Sequence, residues 1–344
     1  MKFIVSADWH LKDWSDKEFT SDGTPRKLQE ILDAVDSMCK YAMATPDIRT
    51  LFVPGDVNDT KNIASVNGFT RLQEIMESYP QIRFIISHGN HDAVGNMKER
   101  SAIQLLNGPP NIETYVDTFI EDNIAMIPYS SHVVDDIQEI YERHEDVKIL
   151  LAHFGLNEGS LSSGISLRTS IRASMLTRFN LVILGHYHKP QMLIEGNTAI
   201  YYVGSPIPLR RDEWEEEKRF LVVDSETFEV ESVPTTGYRK YYQFTIDQDT
   251  NVEMMSERIQ EIKDEGHHIV VRNTLKDIPE ELKNVTDGVK ILNEHVDDGQ
   301  LRGITSMMDT EKQLKEYTVY KEIPETEQSE YLEVATEIFN FQEE

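Results

Sequence analysis

The sequence predicts a layered α/β protein with at least part of its sheet parallel, followed by a small α+β cap and a C-terminal helical tail. Three observations lead there. Apolar runs alternate with segments of helical period as far as Leu184; acid-base and metal-capable side chains follow five of those runs; and over a hundred residues remain after the main sheet is expected to end at Val233.

In chain order, FIVSA at 3–7 reads as a strand, and Leu28, Ile31, Leu32, Val35, Met38 and Cys39 recur at the three- and four-residue spacing of one helix face. Thr50–Val53 is the next strand, Val66–Met76 a helix and Arg83–Ile86 a strand. Strands are also expected at Ile124–Ile127, Val147–Leu151 and Leu181–Leu184, then shorter ones at Ile200–Val203, Phe220–Val223 and Val230–Val233. After the linker-like PTTGYRK come YYQFTI at 241–246, a helix carrying Met254, Met255, Ile259 and Ile262, and HHIVVRN at 267–273, a strand-helix-strand pattern. Glu311–Tyr320 and Glu325–Phe341 read as two helices split by Pro324, the second with Leu332, Ala335, Thr336 and Phe339 on one stripe. The expected division is 1–235 for the main domain, 236–305 for the cap and 306–344 for the tail.

Composition narrows the class. With 344 residues, 39% of them hydrophobic, the chain can bury a large core. The N-terminal apolar run is broken by Asp8, so neither a signal peptide nor a membrane span is expected, and the single Cys39, read as core, fits a reducing, cytoplasmic setting. A formal net charge of −27 argues against an autonomous basic DNA clamp. EWEEEK at 213–218 and the glutamates of the last segment read as solvated helix faces.

The chemistry sits where strands stop. FIVSADWH delivers Asp8 and His10, LFVPGDVND Asp56 and Asp59, FIISHGNHD Asn90, His91 and Asp92, ILLAHF His153, and LVILGHYH His186 and His188. In open α/β sheets ligands gather beyond the carboxyl ends of strands, so these distant residues should meet at one edge. Taken singly, Asp-x-His and Gly-Asp are ordinary turn chemistry and His153 an ordinary core histidine. Their conjunction in this order, each after a strand, makes coincidence a poor account. Carboxylate, imidazole and amide donors without thiolate suit hard to borderline divalent ions, manganese first among iron, zinc and magnesium.

The order D-x-H, G-D-x-x-D, G-N-H-D, a lone strand-end H and G-H-x-H resembles the signature of calcineurin-like metallophosphoesterases. The resemblance implies mixed β-sheets flanked by helices and two divalent metal ions, one held by Asp8, His10, Asp56 and His188, the other by Asp56, Asn90, His153 and His186. It implies that His91 assists the transition state rather than holding metal. Asp59 and Asp92 are expected behind the ligands, accepting the other ring proton of a histidine.

GDVND lacks the arginine and glycine of the phosphoprotein phosphatases, and GNHD stands where those enzymes have GNHE. Catalytic domain, cap, helical tail and the opening FIVSADWHL together resemble SbcD-type double-strand-break nucleases, including bacteriophage-encoded ones. That likeness implies a DNA exonuclease with endonuclease activity, paired as a homodimer within a heterotetramer, its tail docked on an SbcC-type coiled-coil ATPase, with no membrane partner. Arg168, Arg172 and Arg178, and Arg210 with Arg211, are candidate phosphate contacts, though salt-bridged surface is the commoner fate of such residues. His132, His144, His267, His268 and His295 receive no role. The alternatives are a cyclic-nucleotide or small-molecule phosphodiesterase, and a non-catalytic scaffold of the same fold; no ligand is missing, which weighs against the scaffold.

Overall fold

The computed structural model describes residues 1–14, 18–94, 97–164, 169–213, 216–275, 277–286 and 289–293; the expected tail at 306–344, His295 and Arg168 lie outside them. The chain divides into two compact units, one of Met1–Tyr242 with Gly266–His268, the other of Gln243–Glu265 with Ile269–Glu344.

The first unit is built on two six-stranded mixed sheets. Its strands are β1 (Lys2–Val5), β2 (Ile48–Pro54), β3 (Arg83–Ser87), the short pair β4 (Ala93–Val94) and β5 (Met97–Ser101), β6 (Ile112–Tyr115), β7 (Phe119–Glu121), β8 (Ile124–Ile127), β9 (Ile149–His153), β10 (Leu181–Gly185), β11 (Gln191–Glu195), β12 (Thr198–Tyr202), β13 (Arg219–Asp224) and β14 (Val230–Pro234). One sheet runs β14-β13-β1-β2-β3-β6 and the other β11-β12-β10-β9-β8-β7. In the first, β1, β2, β3 and β6 are parallel; in the second, β8, β9, β10 and β12 are. Antiparallel strands finish every edge except that of β6.

The continuous apolar runs explain why two sheets form. A strand's side chains alternate between faces, so a run apolar at every position must be covered on both. Phe3, Val5, Phe52 and Ile85 from one sheet meet Ile149, Leu151, Leu181 and Ile183 from the other in a core between the sheets. Their neighbours Ile4, Leu51, Val53, Phe84 and Ile86 point the opposite way, into a core under α1 (Arg26–Ala44) and α2 (Val66–Glu77). Leu150, Ala152, Val182 and Leu184 likewise face a third core under α3 (Val133–Arg143). The expected helix face is buried as read, Leu28, Ile31, Leu32, Val35, Met38 and Cys39 all at 0% exposure. Burial also pushes the Cys39 thiol far up from its ordinary value, which suits a core role. Helix α2 starts where the Ser65 side chain accepts from Gly68 N at 2.8 Å.

Two differences from the sequence reading concern periodicity and layering. Helix α3 is absent from that reading, because its run VVDDIQEIYER carries only Val133, Ile137 and Ile140 on its buried side and four acids elsewhere. The chemistry-bearing strand ends come from two facing sheets rather than one edge.

In the second unit, β15 (Tyr241–Ile246), α4 (Val252–Asp264), β16 (His268–Asn273), α5 (Glu280–Lys283) and β17 (Lys290–Asn293) follow one another, and the sheet order is β15-β16-β17. Asn251 caps α4 by accepting from Met254 N at 3.1 Å, and Ile259 and Ile262 are buried. Met254, expected on that apolar face, is instead 67% exposed, because it occupies the first turn beside the cap. No helix among the described residues is long and apolar enough to cross a membrane.

The shared core between the sheets sets the stability of the first unit. Ile183→Ala is expected to cost roughly 2–5 kcal/mol, read as a lower midpoint in chemical denaturation with unchanged far-ultraviolet circular dichroism.

Candidate metal centre

The strand-end loops from β1 and β2 extend their parallel pairing past the regular strands. Asp8 N donates to Gly55 O at 3.1 Å, His10 N to Asp56 O at 3.0 Å and Leu11 N to Val57 O at 2.8 Å. This stitching turns the chain sharply. Asp8, His10, Asp56 and His186 have φ of 57°, 51°, 55° and 88°, four of the seven left-handed non-glycine residues among the described ones. Asp and His tolerate that region better than branched residues, at a cost of about 1–3 kcal/mol each. Gly89 is required for contact rather than conformation: a methyl group there would collide with Oδ1 and the backbone nitrogen of Asp56.

Asp56 stands at the middle. Its Oδ1 accepts from His91 N at 2.8 Å, while Oδ2 lies 3.2 Å from His153 Nε2 and 3.6 Å from His10 Nε2. On one side, His10 Nε2 and His188 Nε2 are 3.0 Å apart, and Asp8 lies with them, one ligand atom of each within 4.8 Å of the others. On the other, Asn90 Oδ1 is 3.1 Å from His153 Nε2 and 3.0 Å from His186 Nδ1. All seven expected ligands and His91 are therefore gathered about one carboxylate.

The remaining ring nitrogens decide what these atoms can do. A backbone carbonyl only accepts, so His153 Nδ1, 2.9 Å from Pro54 O, carries a proton, and so does His91 Nδ1 against Asp59 O. His188 Nδ1 is 3.1 Å from Glu213 Oε1, and His10 Nδ1 is 3.5 Å from Asp59 Oδ1. Burial opposes a charge on His188, but its hydrogen bond to Glu213 and the Asp8 carboxylate raise it, so His188 Nε2–H can donate to His10 Nε2 across 3.0 Å, a proton whose place a shared cation can take. The donor set on both sides of Asp56 therefore fits two divalent ions.

Electrostatics separates the imidazoles. Burial drives His153 toward neutrality, but the Asp56 carboxylate outweighs it and raises the ring to about 9. Burial, helped by the charge on His153, lowers His186 to about 3. Burial also lowers His10. Without metal, the centre thus favours protons on His153 and His188 over His186 and His10.

Asp59 is ion-paired to Lys12 at 2.7 Å, and its Oδ1 lies 3.5 Å from His10 Nδ1. Asp92 does something else: its carboxylate accepts from the backbone nitrogens of Asn58 and Gly89 at 2.7 Å each and Val57 at 3.3 Å, tying two loops together instead of orienting a ring. Three clustered N–H groups outnumber what a single imidazole could offer it.

EWEEEK, expected as a solvated helix face, is buried at both ends. Glu213 is 1% exposed and Lys218 0%, and their side chains pair at 2.7 Å directly behind His188. Burial favours protonating Glu213, yet the hydrogen bond to His188 and the Lys218 ammonium hold it down at about 2. Nothing in a run of charges distinguishes this from a wet helix face; the nearby SPIPL, whose Leu209 N donates to Glu213, was the available signal.

A cleft of about 270 Å³ opens beside the centre, its lining including Asn90, His91, His186 and His188, Leu161–Ser163, Arg210 and the acidic Asp212 and Glu213. Of the candidate cationic residues, Arg210 reaches it. Arg172 is exposed elsewhere, Arg178 lies over the Tyr141 ring at 4.6 Å, and the side chain of Arg211 is outside the described residues. His132 and His144 flank α3, and His267 and His268 lie against Tyr242 and Tyr241.

Because a metal must displace the His153 proton, binding should release protons and tighten as pH rises. Between pH 6 and 8 the expected gain is about tenfold per unit for each proton released, measured by titration calorimetry in buffers of different ionisation enthalpy.

No curated protein matches the chain. Among solved structures, it is similar to an archaeal phosphodiesterase at 12% identity and TM-score 0.35, covering 68% of this chain and 99% of that one. GAP50, the anchor in the inner membrane complex of Plasmodium, is similar at 12% identity and TM-score 0.43, with 69% and 89% covered. A conserved Streptococcus pneumoniae protein, predicted to be a phosphoesterase, is similar at 14% identity and TM-score 0.31, with 69% and 92% covered. Residues 1–190, more than half of the 344 and inclusive of every motif from Asp8 to His188, match the calcineurin-like phosphoesterase family. The chain belongs to that family, whose members hydrolyse phosphoesters at a dinuclear metal centre.

Proposed function

We propose that this protein is a dinuclear-metal-dependent DNA nuclease that cuts phosphodiester bonds at DNA ends, an exonuclease with endonuclease activity, working with an SbcC-type coiled-coil ATPase. The observation that carries the phosphodiesterase reading is the convergence of seven side chains on Asp56 beside a cleft holding a cationic residue. DNA as the substrate is supported by the SbcD-like opening and by the strand-helix-strand unit that follows the catalytic strands.

In this reading Asp8, His10, Asp56 and His188 hold one ion, and Asp56, Asn90, His153 and His186 the other; oxygen and imidazole donors without sulfur favour manganese. When bound, such a pair activates a water and neutralises charge on the attacking and leaving oxygens. The chain's own residues do the rest. His91, with Nδ1–H committed to the Asp59 carbonyl, has Nε2 left to exchange a proton with the departing oxygen. Arg210 offers a charged fork to a phosphate in the cleft. At about 270 Å³ the cleft is smaller than the ~300–1,000 Å³ pockets that enclose whole small ligands, which suits one linkage of a longer polymer.

The acidic surface fits a division of labour. With a net charge of −27 the chain repels a phosphate backbone over most of its area, so the ATPase partner and the metals would supply most of the grip. Residues 236–305 would serve as the DNA-facing cap, 306–344 as the docking tail, and two catalytic domains would pair within a heterotetramer.

The deciding experiment offers linear duplex DNA, a cyclic nucleotide and a phosphomonoester to purified protein with manganese, with and without the ATPase subunit. DNA cleavage abolished by chelator is expected; turnover of the monoester or the cyclic nucleotide alone would refute the nuclease reading. His91→Ala should lower DNA cleavage by about 10²–10⁴-fold with two metals still bound by elemental analysis. Removal of 306–344 should abolish co-purification with the ATPase while sparing manganese-dependent cleavage.

A further inference from the structure

Behind His188, on the side away from Asp56, lies a small polar cluster sealed from water. Glu213 Oε1 faces His188 Nδ1 at 3.1 Å. Its Oε2 accepts from Leu209 N at 2.9 Å, from Ser205 Oγ at 3.3 Å and from Lys218 Nζ at 2.7 Å. Lys218 Nζ in turn donates to the backbone oxygen of His188 at 2.9 Å and to Glu216 Oε2 at 2.6 Å. Lys218 is among the largest fully buried side chains of the chain.

A carboxylate and an ammonium are costly to take out of water, and a charged pair this deep is retained only where each charge meets several partners. Apart from Glu216, every partner here belongs either to His188 or to the loop of residues 205–213. We propose that Glu213 is the positioning residue of His188 and that Lys218 holds Glu213 in place, so that the ring presents Nε2 to its metal and the loop carrying Arg210 is fixed to the same ring. This inference rests on the ligand assignment given under Proposed function.

A carboxylate at Nδ1 can only accept, so it selects the tautomer with the proton on Nδ1 and the lone pair on Nε2, the nitrogen that lies 3.0 Å from His10 Nε2. The other carboxylate oxygen gathers Leu209 N and Ser205 Oγ, the two ends of the segment that precedes Arg210. One side chain thus orients a metal-facing ring with one oxygen and a cleft-facing loop with the other. Removing it should disturb one metal position and leave the position made by Asn90, His153 and His186 intact.

The test uses the full chain. Nitrogen-15 spectra of the histidine rings should show His188 as the Nδ1–H tautomer in the zinc-loaded wild type. Manganese titration of Glu213→Ala should show one of the two binding equilibria weakened by about 10–100-fold and the other unchanged. Glu213→Gln keeps an acceptor oxygen, so it should retain the tautomer and bind manganese more tightly than Glu213→Ala. A His188 proton on Nε2 in the zinc-loaded wild type would overturn the proposal, as would Glu213→Ala with both affinities unaltered. If Glu213→Ala does not fold, the wild-type tautomer and the Glu213→Gln titration decide. Wild type that takes up fewer than two manganese ions refutes the ligand assignment instead, an outcome separable from the effect of Glu213.

Discussion

A single carboxylate must face two ways for this site to exist. Asp56 turns Oδ2 toward imidazoles from both sheets, His10 from the first and His153 from the second, while its Oδ1 is tied to the loop of His91. That is possible only if the ends of β2 and β9 approach closely, and they do so because Phe3, Phe52, Leu151 and Ile183 fill the space between the sheets. Packing of an apolar layer thereby sets a distance between charges. The inter-sheet core and the metal chemistry are one design problem, solved by the same strands.

The cost of the arrangement is local. Left-handed Asp8, His10, Asp56 and His186, imidazoles packed edge-on as His10 with His91 and His188 and as His153 with His186, and the buried carboxylates of Asp8, Asp56 and Asp92 are each unfavourable alone. Backbone stitching between the first two loops, and the three N–H groups on Asp92, hold these residues where a free chain would not. The concentration of such features at one place is what a functional centre shows when the surrounding fold is strong enough to impose it.

Most of this is legible in the sequence, for a physical reason. Strands buried on both faces announce themselves as unbroken apolar runs, and the residues just after them stand out because Asp, His and Asn interrupt such runs abruptly. Leu181–Gly185 followed by His186 and His188 is the plainest case. What stays hidden obeys the same logic in reverse. Helix α3 hides its three buried residues among acids, and Glu213 looks like any member of a charged run. The solvation of a charge depends on what folds over it from elsewhere in the chain, and neither Lys218 nor His188 advertises that it will cover Glu213. Asp92 falls in the expected neighbourhood but with a different partner, since local spacing reveals proximity to a histidine and not the presence of three backbone donors.

The alternation of strand side chains between separate cores has a consequence for change. Slipping β2 or β10 by one position would exchange the residues offered to the inter-sheet layer and to the helices, and would also carry Asp56 or His186 out of reach of its neighbours. A one-residue insertion inside these strands is therefore doubly penalised, whereas the β11–β12 hairpin, turning at Gly196 on the sheet edge, can lengthen without touching either interior. Length variation among descendants of this chain should accumulate at such rims, leaving the spacing between strand start and metal-facing side chain unaltered.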